Sequence, residues 1–219
     1  SNAGSIHAQI PHLTFIEEGD DWARTFAPTI PLLLASIDIW KGLSAELGSD
    51  LEVATPGGLL VAETEQQMRD VERKAAIERS HGMTIELVGR DDLRRLAPYV
   101  GEQMIGGAFS PQEGKANPLK ATPAFAAAAR RLGARIATGC EVTGTLRQPD
   151  GCFRLSTSHG EVTARRLVNA AGANAGSVAA MLGLRLPLLA EAIQVSVSEP
   201  AAPLVSHLVY FAGGRLTLK

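Results

Sequence analysis

Apolar residues recur at helical spacing in the first quarter of the chain. The residues that lie three or four positions apart on one helical face are Leu33, Ile37, Trp40, Leu43 and Leu47. This period predicts a helix from Asp20 to Leu47 that ends at Gly48 and is interrupted at Pro28 and Pro31.

A second helix and several short strands are predicted after this segment. Thr64 and Gln67 form a capping box, which predicts a helix from Glu65 to about His81. The apolar stripe of this helix is thin, so its charge run over 68–79 is expected to be a solvated helix face. The other segments with a predicted structure are 51–63 (two strands joined by a turn), 84–89 (a strand) and 90–98 (a short helix).

The second half of the chain is richer in turns and in short strand patterns. Residues 106–118 are predicted to form a loop because of their glycine and proline content. Asn117 is predicted to cap a helix that runs to Leu132 and is disturbed by Pro123. The strand-like runs are 134–139, 141–148, 152–158, 161–172, 192–200 and 215–219, with a helix-like run ending at Gly183. The expected fold class is α+β.

Composition excludes several classes of function. The 219 residues carry a formal net charge of −2, and no Lys/Arg cluster indicates binding to nucleic acid. No uninterrupted apolar run reaches the ~18 residues of a membrane span, so no transmembrane segment is expected. Cys140 and Cys152 form no metal-ligand motif, which favours a reduced, cytoplasmic setting without zinc or another metal. Peripheral association with a membrane stays open.

The glycines give one negative and one positive signal. None of the 22 glycines is separated from another by a single residue, so the G-x-G of a dinucleotide-binding fingerprint is absent. The positive signal is the turn Ala170-Ala171-Gly172, which follows an expected buried strand at Leu167 and Val168. Small side chains there let a ligand approach the backbone, or they make room for a helix to pack on the strand. On local evidence the two interpretations are equally good.

A set of short motifs, taken in chain order, resembles a known enzyme family. Its members are Glu113-Gly114, Asn117-Pro118, Gly133-Ala134, Glu141-Val142 and Ala170-Ala171-Gly172. The chain from Gly4 to Lys219 resembles the central part of the D-amino-acid oxidase and glycine oxidase superfamily of FAD-dependent amine oxidoreductases. Within that superfamily it is most similar to opine oxidase and hydrogen cyanide synthase subunits and to the sarcosine oxidase β-subunit.

The resemblance implies which residues bind the cofactor. The strand with Glu141 and Val142 is expected to present its backbone to the adenine of FAD. The Ala170-Ala171-Gly172 turn is expected to lie along the cofactor. The segment from Gly4 to His12 matches a stretch written "GSxHG" in relatives, which lies near the flavin ring, and His7 falls on its histidine.

The resemblance also implies where the substrate binds. Tyr210 is expected near the substrate face, and Arg215 is the remaining candidate to bind a substrate carboxylate. Relatives often carry an arginine a few residues after the "GSxHG" histidine, but Gln9, Ile10, Pro11 and His12 occupy that place here. No catalytic residue is assigned.

The same resemblance implies a division of the chain. Residues 1–3 are typical of an expression scar, 4–112 of a substrate-domain part with the flavin-side segment, 113–188 of a partial FAD-binding domain and 189–219 of truncated substrate-domain strands. The expected architecture is a mixed antiparallel substrate-domain sheet with helices, plus a partial three-layer FAD/NAD(P)-binding-like domain. Because the glycine-rich FAD unit is not in the sequence, the chain alone is expected to be inactive and not to hold FAD.

The implied function is oxidation of the C–N bond of an amino acid or an opine-like amine. One alternative is a flavoenzyme of the same fold that acts on a hydroxy acid or a glycerol phosphate. Another is a non-catalytic interaction module. The expected partners are a small amine substrate, other subunits in a hetero-oligomer of the intact enzyme, and a second copy of the fragment in a homodimer.

Overall fold

The computed structural model describes residues 4–189, 194–199 and 202–219. The chain forms two compact units, one of Ser1–Leu132 with Ser198–Lys219 and one of Gly133–Val197. The first unit is therefore built from two separate stretches of sequence. The domain boundaries expected after residues 112 and 188 stay a prediction, because compactness does not show which part binds a cofactor.

Most helices begin and end close to their sequence signals, but the predicted start at Asp20 is wrong because the first helix begins at His12, and the break falls at Ala27–Thr29 with Pro31 inside the first turn of the next helix. In the described residues they are α1 His12–Phe26, α2 Ile30–Leu47, α3 Glu65–Ser80, α4 Arg90–Leu96, α5 Pro118–Arg131 and α6 Ala175–Ala180, with 3-10 turns at Ala27–Thr29 and Gly172–Asn174. The Thr64 side chain accepts a hydrogen bond from the Gln67 N–H, which confirms the predicted cap of α3. Asn117 caps α5 in the same way, and Pro123 lies inside that helix.

The described residues form three sheets. Their strands are β1 Ser5–Ile6, β2 Gly58–Ala62, β3 Glu86–Gly89, β4 Gly106–Ser110, β5 Gly114–Lys115, β6 Val142–Arg147, β7 Phe153–Thr157, β8 Gly160–Ala164, β9 Leu208–Phe211 and β10 Thr217–Leu218. In the first unit β1 pairs with β5, and five strands form a sheet in the order β10-β9-β2-β4-β3. Within that sheet β2 and β9 are parallel and the other neighbours are antiparallel. This sheet, with its helices, confirms the expected α+β class.

The glycine-rich segment predicted as a loop contains an inner strand of this sheet. Gly106 and Gly107 begin β4, which lies between β2 and β3. A Cβ on Gly107 would overlap the Leu60 carbonyl oxygen, and a Cβ on Gly106 would lie 2.6 Å from that of Val88. The prediction of a loop is therefore wrong for β4, because its glycines serve the close approach of neighbouring backbones. It is also wrong for the short strand β5, which pairs with β1.

The main core of the first unit lies between the helices and one face of the five-stranded sheet. Fully buried side chains in this core include Phe15, Ile30, Leu60 and Val71. On the opposite face, Leu59 and Val61 pack with Leu93 of α4 in a second cluster. Successive residues of β2 thus enter different cores, as expected for a strand that is covered on both faces.

One helical stretch, His12–Leu47, is long and apolar enough to cross a membrane by length and composition alone. Gly19 and the 3-10 turn at Ala27–Thr29 interrupt it, and its Phe15 and Ile30 side chains belong to the main core. Core helices of soluble proteins satisfy the same criterion, so the stretch is weak evidence for a span. The expectation of no transmembrane segment stays a prediction.

The second unit is built on an antiparallel meander in which β7 pairs with both β6 and β8. Because β8 ends at Ala164, the strand predicted to continue through Leu167 is wrong, and Val168 is 84% exposed. No described strand pairs with 165–171, so this segment lacks the hydrogen-bond ladder and covered face of a strand. Residues 134–139 and 194–199 also form no strand, and the rest of the strand expected over 192–200 lies outside the described residues.

Candidate functional site

A cleft of about 440 Å³ opens in the first unit between the segment after β1, the start of α1 and the turn from β9 to β10. It brings together three residues that were predicted to bind cofactor or substrate, His7, Tyr210 and Arg215. Gln9 and Lys74 also line it. The roles of the three residues stay predictions, but the fold brings His7 to the same cleft as Tyr210 and Arg215, although His7 lies 203 positions from Tyr210.

His7 and Tyr210 form the polar centre of this cleft. His7 Nδ1 lies 2.7 Å from the Tyr210 hydroxyl oxygen, and the ring centroids are 5.5 Å apart. Tyr210 lies on β9, and the parallel register places it beside Leu60 of β2. Burial raises the pKa of Tyr210, and the Glu113 carboxylate raises it further, so the phenol keeps its proton.

Glu113 is a fully buried carboxylate that holds the segment next to His7. Its Oε1 accepts hydrogen bonds from the Ala8 N–H at 2.8 Å and the Gln9 N–H at 2.9 Å. Its Oε2 accepts a third from the Gln9 side-chain amide at 2.9 Å. The carboxylate occupies the space that a Cβ on Gly58 would need. Because hydrogen bonds to a charged acceptor are short and directional, Glu113 fixes the backbone beside His7.

A buried ion pair lies next to Gln9. Lys74 and Glu78, at positions i and i+4 of α3, are 1% and 0% exposed, with 2.5 Å between Lys74 Nζ and Glu78 Oε1. Lys74 also donates to Gln9 Oε1 at 3.1 Å, and Glu78 Oε1 accepts the Ile10 N–H at 2.8 Å. Burial raises the pKa of Glu78, an effect that Lys74 partly offsets. Three consecutive N–H groups, of Ala8, Gln9 and Ile10, are therefore bonded to buried carboxylates.

The sequence analysis missed this buried network. The charge run over 68–79 was predicted to be a solvated face, which is wrong for Lys74 and Glu78. A usable signal existed: both residues lie at helical spacing from Val71, on the same stripe of α3. Glu113 carried less signal, since its neighbours in sequence are glycine and polar residues.

His12 begins α1 at the edge of the cleft. Burial lowers the pKa of its imidazole to about 4, and the nearby Lys74 ammonium contributes to this shift. The folded protein therefore holds His12 neutral at neutral pH.

The His12 shift predicts a pH dependence of stability. In the unfolded chain His12 has its ordinary pKa of 6.5, so it is protonated below that pH, whereas in the folded protein it stays neutral down to about pH 4. The contribution of His12 to the free energy of unfolding is therefore lost as pH falls from about 6.5 to about 4. Urea unfolding of wild type and His12→Gln across this range should show a steeper decline for wild type. The same substitution at the exposed His159 is the control, and parallel wild-type and H12Q curves would contradict the assignment.

Arg215 lies at the mouth of the cleft, on the turn between β9 and β10. Its side chain is 72% exposed, and Nη2 is 3.9 Å from Glu17 Oε1 of α1. A guanidinium in this position offers a planar pair of donors to a carboxylate entering the cleft.

The residues predicted to contact the cofactor in the second unit lie in two places. Val142 begins β6, and the Glu141 N–H donates to Ser158 Oγ at 3.0 Å. The Ala170-Ala171-Gly172 turn is exposed, and nothing lies within 4 Å of where a Cβ on Gly172 would be. This open turn of small residues fits a ligand that lies against its backbone. The roles of these residues toward FAD stay predictions.

No cluster of three or more His, Cys, Asp or Glu with the arrangement of a metal site occurs in the part of the chain that the structure describes. Cys140 and Cys152 are both unpaired and partly exposed.

Known proteins are similar to this chain in sequence, and solved structures are similar to it in fold. Sarcosine oxidase subunit beta of Rhizobium meliloti is 29% identical over 190 residues, which are 84% of this chain and 46% of that protein. The glycine oxidase structure from Geobacillus kaustophilus superposes with a TM-score of 0.78 at 24% identity, covering 97% of this chain and 55% of that one. The FAD-bound L-α-glycerophosphate oxidase structure from Mycoplasma pneumoniae gives 0.71 at 18% identity, with coverages of 97% and 54%. Both structural likenesses show the fold alone.

The chain thus spans about half the length of these relatives. The family profile described as FAD dependent oxidoreductase, DAO, matches residues 1–214. A match over nearly the whole sequence, on a fold shared with these flavoenzymes, shows that the chain belongs to the DAO family of FAD-dependent oxidoreductases.

Proposed function

We propose that the protein is a flavin-dependent oxidoreductase that oxidises the C–N bond of an amino acid or an opine-like amine. The observation that carries this proposal is the lining of the cleft, which joins the His7–Tyr210 pair to Arg215. None of the described residues that line this cleft is Asp or Glu. Such a lining suits a ligand with a carboxylate at one end and an amine at the other.

The chain's own residues would bind and orient the substrate. Arg215 would bind the carboxylate at the mouth, while His7, held by its hydrogen bond to Tyr210, would bind the amine. Glu113 would keep the segment beside His7 in one conformation. When bound, FAD would supply the redox chemistry by accepting a hydride equivalent from the carbon of the C–N bond. The turn at Gly172 and the strand at Val142 would contribute backbone contacts to the cofactor.

The 219-residue chain is proposed not to hold FAD tightly by itself, because its sequence has no G-x-G phosphate-binding turn. Purified chain mixed with FAD and passed through a desalting column should emerge colourless. A yellow, stoichiometric complex would contradict this. Relatives named as sarcosine oxidase β-subunits also support a proposed hetero-oligomer, which co-purification of the native protein from its source would reveal.

The role of Arg215 is testable in the intact, FAD-loaded enzyme rather than in the 219-residue chain alone. Arg215→Ala should lower kcat/KM for an amino-acid substrate about tenfold, since one partly exposed charge-assisted hydrogen-bonding group is lost. The effect should fall on KM and be absent for the corresponding amine without a carboxylate. Arg94→Ala, on the exposed face of α4, is the matched control. Turnover of glycerol 3-phosphate in place of every amine and opine tested would instead support the hydroxyl-oxidising alternative.

A further inference from the structure

The His7–Tyr210 hydrogen bond can be made in two ways. Either the phenol donates its proton to His7 Nδ1, or a protonated Nδ1 donates to the phenol oxygen. The choice decides what the other ring nitrogen, Nε2, offers to a ligand in the cleft. In the first arrangement Nε2 carries a proton and donates; in the second it is an acceptor.

The position of Glu113 decides between these arrangements. Gly58 pairs with Leu208, and Leu60 pairs with Tyr210, in the parallel register of β2 and β9. Gly58 and Leu60, two residues apart on a strand, face the same side of the sheet. The Glu113 carboxylate fills the space above Gly58, so it lies one residue pair from Tyr210 on the cleft side.

A buried carboxylate attracts the phenol proton. The Glu113 carboxylate accepts three hydrogen bonds from Ala8 and Gln9, which hold it in place as an acceptor, and it raises the pKa of the Tyr210 phenol. A phenol whose proton points at Glu113 presents its oxygen lone pairs to His7. The neutral imidazole can then bond to the phenol only as the Nδ1–H tautomer.

We propose that Glu113, Tyr210 and His7 form a hydrogen-bonded chain that fixes His7 as the Nδ1–H tautomer, with unprotonated Nε2 as an acceptor toward the cleft. The identity of the ligand rests on the proposed function: this acceptor selects the N–H of a primary or secondary amine. A neutral tertiary amine has no N–H and would not be held. Glu113 and Tyr210 act as positioning residues, since they work through His7.

A second Tyr–His pair in the same unit supplies an internal comparison. Tyr99 O–H and His207 Nδ1 are also 2.7 Å apart. Among the described residues, no carboxylate contributes to the pKa of this phenol. Burial raises the pKa of Tyr99, and backbone N–H groups of His207 and Ser206 counter that effect by bonding to its oxygen. Its proton is therefore available to His207, and the opposite, Nε2–H, tautomer is expected there.

The test is nitrogen NMR on the chain labelled with ¹⁵N-histidine, because protonated and unprotonated ring nitrogens have well-separated shifts. His7 is assigned from the signals lost in His7→Gln. At a pH where His7 is neutral, we expect a protonated Nδ1 and a bare Nε2 for His7, and the reverse for His207. A predominantly Nε2–H His7 would overturn the proposal.

Two variants test the chain of contacts. Tyr210→Phe removes only the hydroxyl and should return His7 to a mixture of tautomers, whereas Tyr99→Phe should change His207 and leave His7 unaltered. Glu113→Gln removes the charge and should populate the Nε2–H form of His7. A His7 tautomer that is unchanged in both Tyr210→Phe and Glu113→Gln would overturn the proposal. If Glu113→Gln does not fold, the His7 tautomers measured in wild type and in Tyr210→Phe still test the proposal.

The ligand part is tested separately, in the intact, FAD-loaded enzyme. The ratio of kcat/KM for a secondary amine substrate to that for its N-methylated tertiary counterpart should fall about tenfold in Tyr210→Phe, the value of one hydrogen bond. Tyr99→Phe should leave the ratio unchanged. An unchanged ratio in Tyr210→Phe would contradict the proposal that His7 selects the N–H of the substrate amine. Absence of any amine oxidation by the intact enzyme would refute the proposed function instead, since the tautomer measurement on the 219-residue chain does not depend on FAD.

Discussion

Lys74→Met is expected to lower the free energy of unfolding by about 3–5 kcal/mol, the cost of removing one partner of a buried ion pair. The variant leaves the Glu78 carboxylate, which is 0% exposed, without its cation. It also removes the hydrogen bond from Lys74 to Gln9, which lies beside the cleft. The loss should shrink as pH falls, because protonation of Glu78 removes the uncompensated charge.

Urea unfolding followed by circular dichroism measures this effect. Lys120→Met is the matched control: Lys120 Nζ lies 2.5 Å from Glu52 Oε1, the same distance, but both side chains are more than 40% exposed. The control should change stability very little, since exposed ion pairs contribute little. The double variant Lys74→Met with Glu78→Leu should recover much of the loss. Equal effects of Lys74→Met and Lys120→Met would show that burial of the first pair is not what matters.

Gly107→Ala is expected to destabilise the first unit by about 3 kcal/mol, at the upper end for overpacking. The added Cβ would overlap the Leu60 carbonyl oxygen and approach Val61 Cα to 3.2 Å. Both are backbone atoms of β2, whose hydrogen bonds to β4 and β9 prevent them from moving away. Leu60 also lines the cleft, so displacement of β2 should weaken substrate binding as well.

The control for this substitution is Gly42→Ala on α2. Nothing lies within 4 Å of a Cβ at that position, so the change should stabilise the helix by about 0.5–1 kcal/mol. Thermal unfolding of the two variants should therefore show shifts of opposite sign. A Gly107→Ala protein as stable as wild type would mean that β2 and β4 are further apart than the structure shows.

Local signals predicted the ends of most helices well because the causes of those ends are local. The Thr64 cap, the Asn117 cap and the glycine after α2 act within one turn of the residues they control. The strand pairing was harder to predict. Gly106 and Gly107 suggest a loop to any local rule, and their place in β4 depends on β2, more than 40 positions earlier.

The candidate site shows the same division. His7, Tyr210 and Arg215 were chosen through a family resemblance, and only the fold shows that they share a cleft. Glu113 and Lys74 were assigned no site role, because a charged side chain is expected to be exposed to solvent unless its partners are known. Those partners, Gln9 and the backbone of Ala8, are brought close by the pairing of β1 with β5. The prediction of a strand at Leu167 was wrong for the opposite reason. Its apolar pattern is local, but no described strand lies beside it to form backbone hydrogen bonds.

The parallel pairing of β2 with β9 has a consequence during protein synthesis. Gly58 meets Leu208, 150 positions later, after the whole second unit has been made. At the ~5–20 residues per second of translation, one edge of β2 waits roughly 8–30 s for its partner. The meander of β6, β7 and β8 needs only local contacts and can form on the ribosome first. Until β9 has been made, the unpaired edge of β2 is therefore open to pairing with other chains.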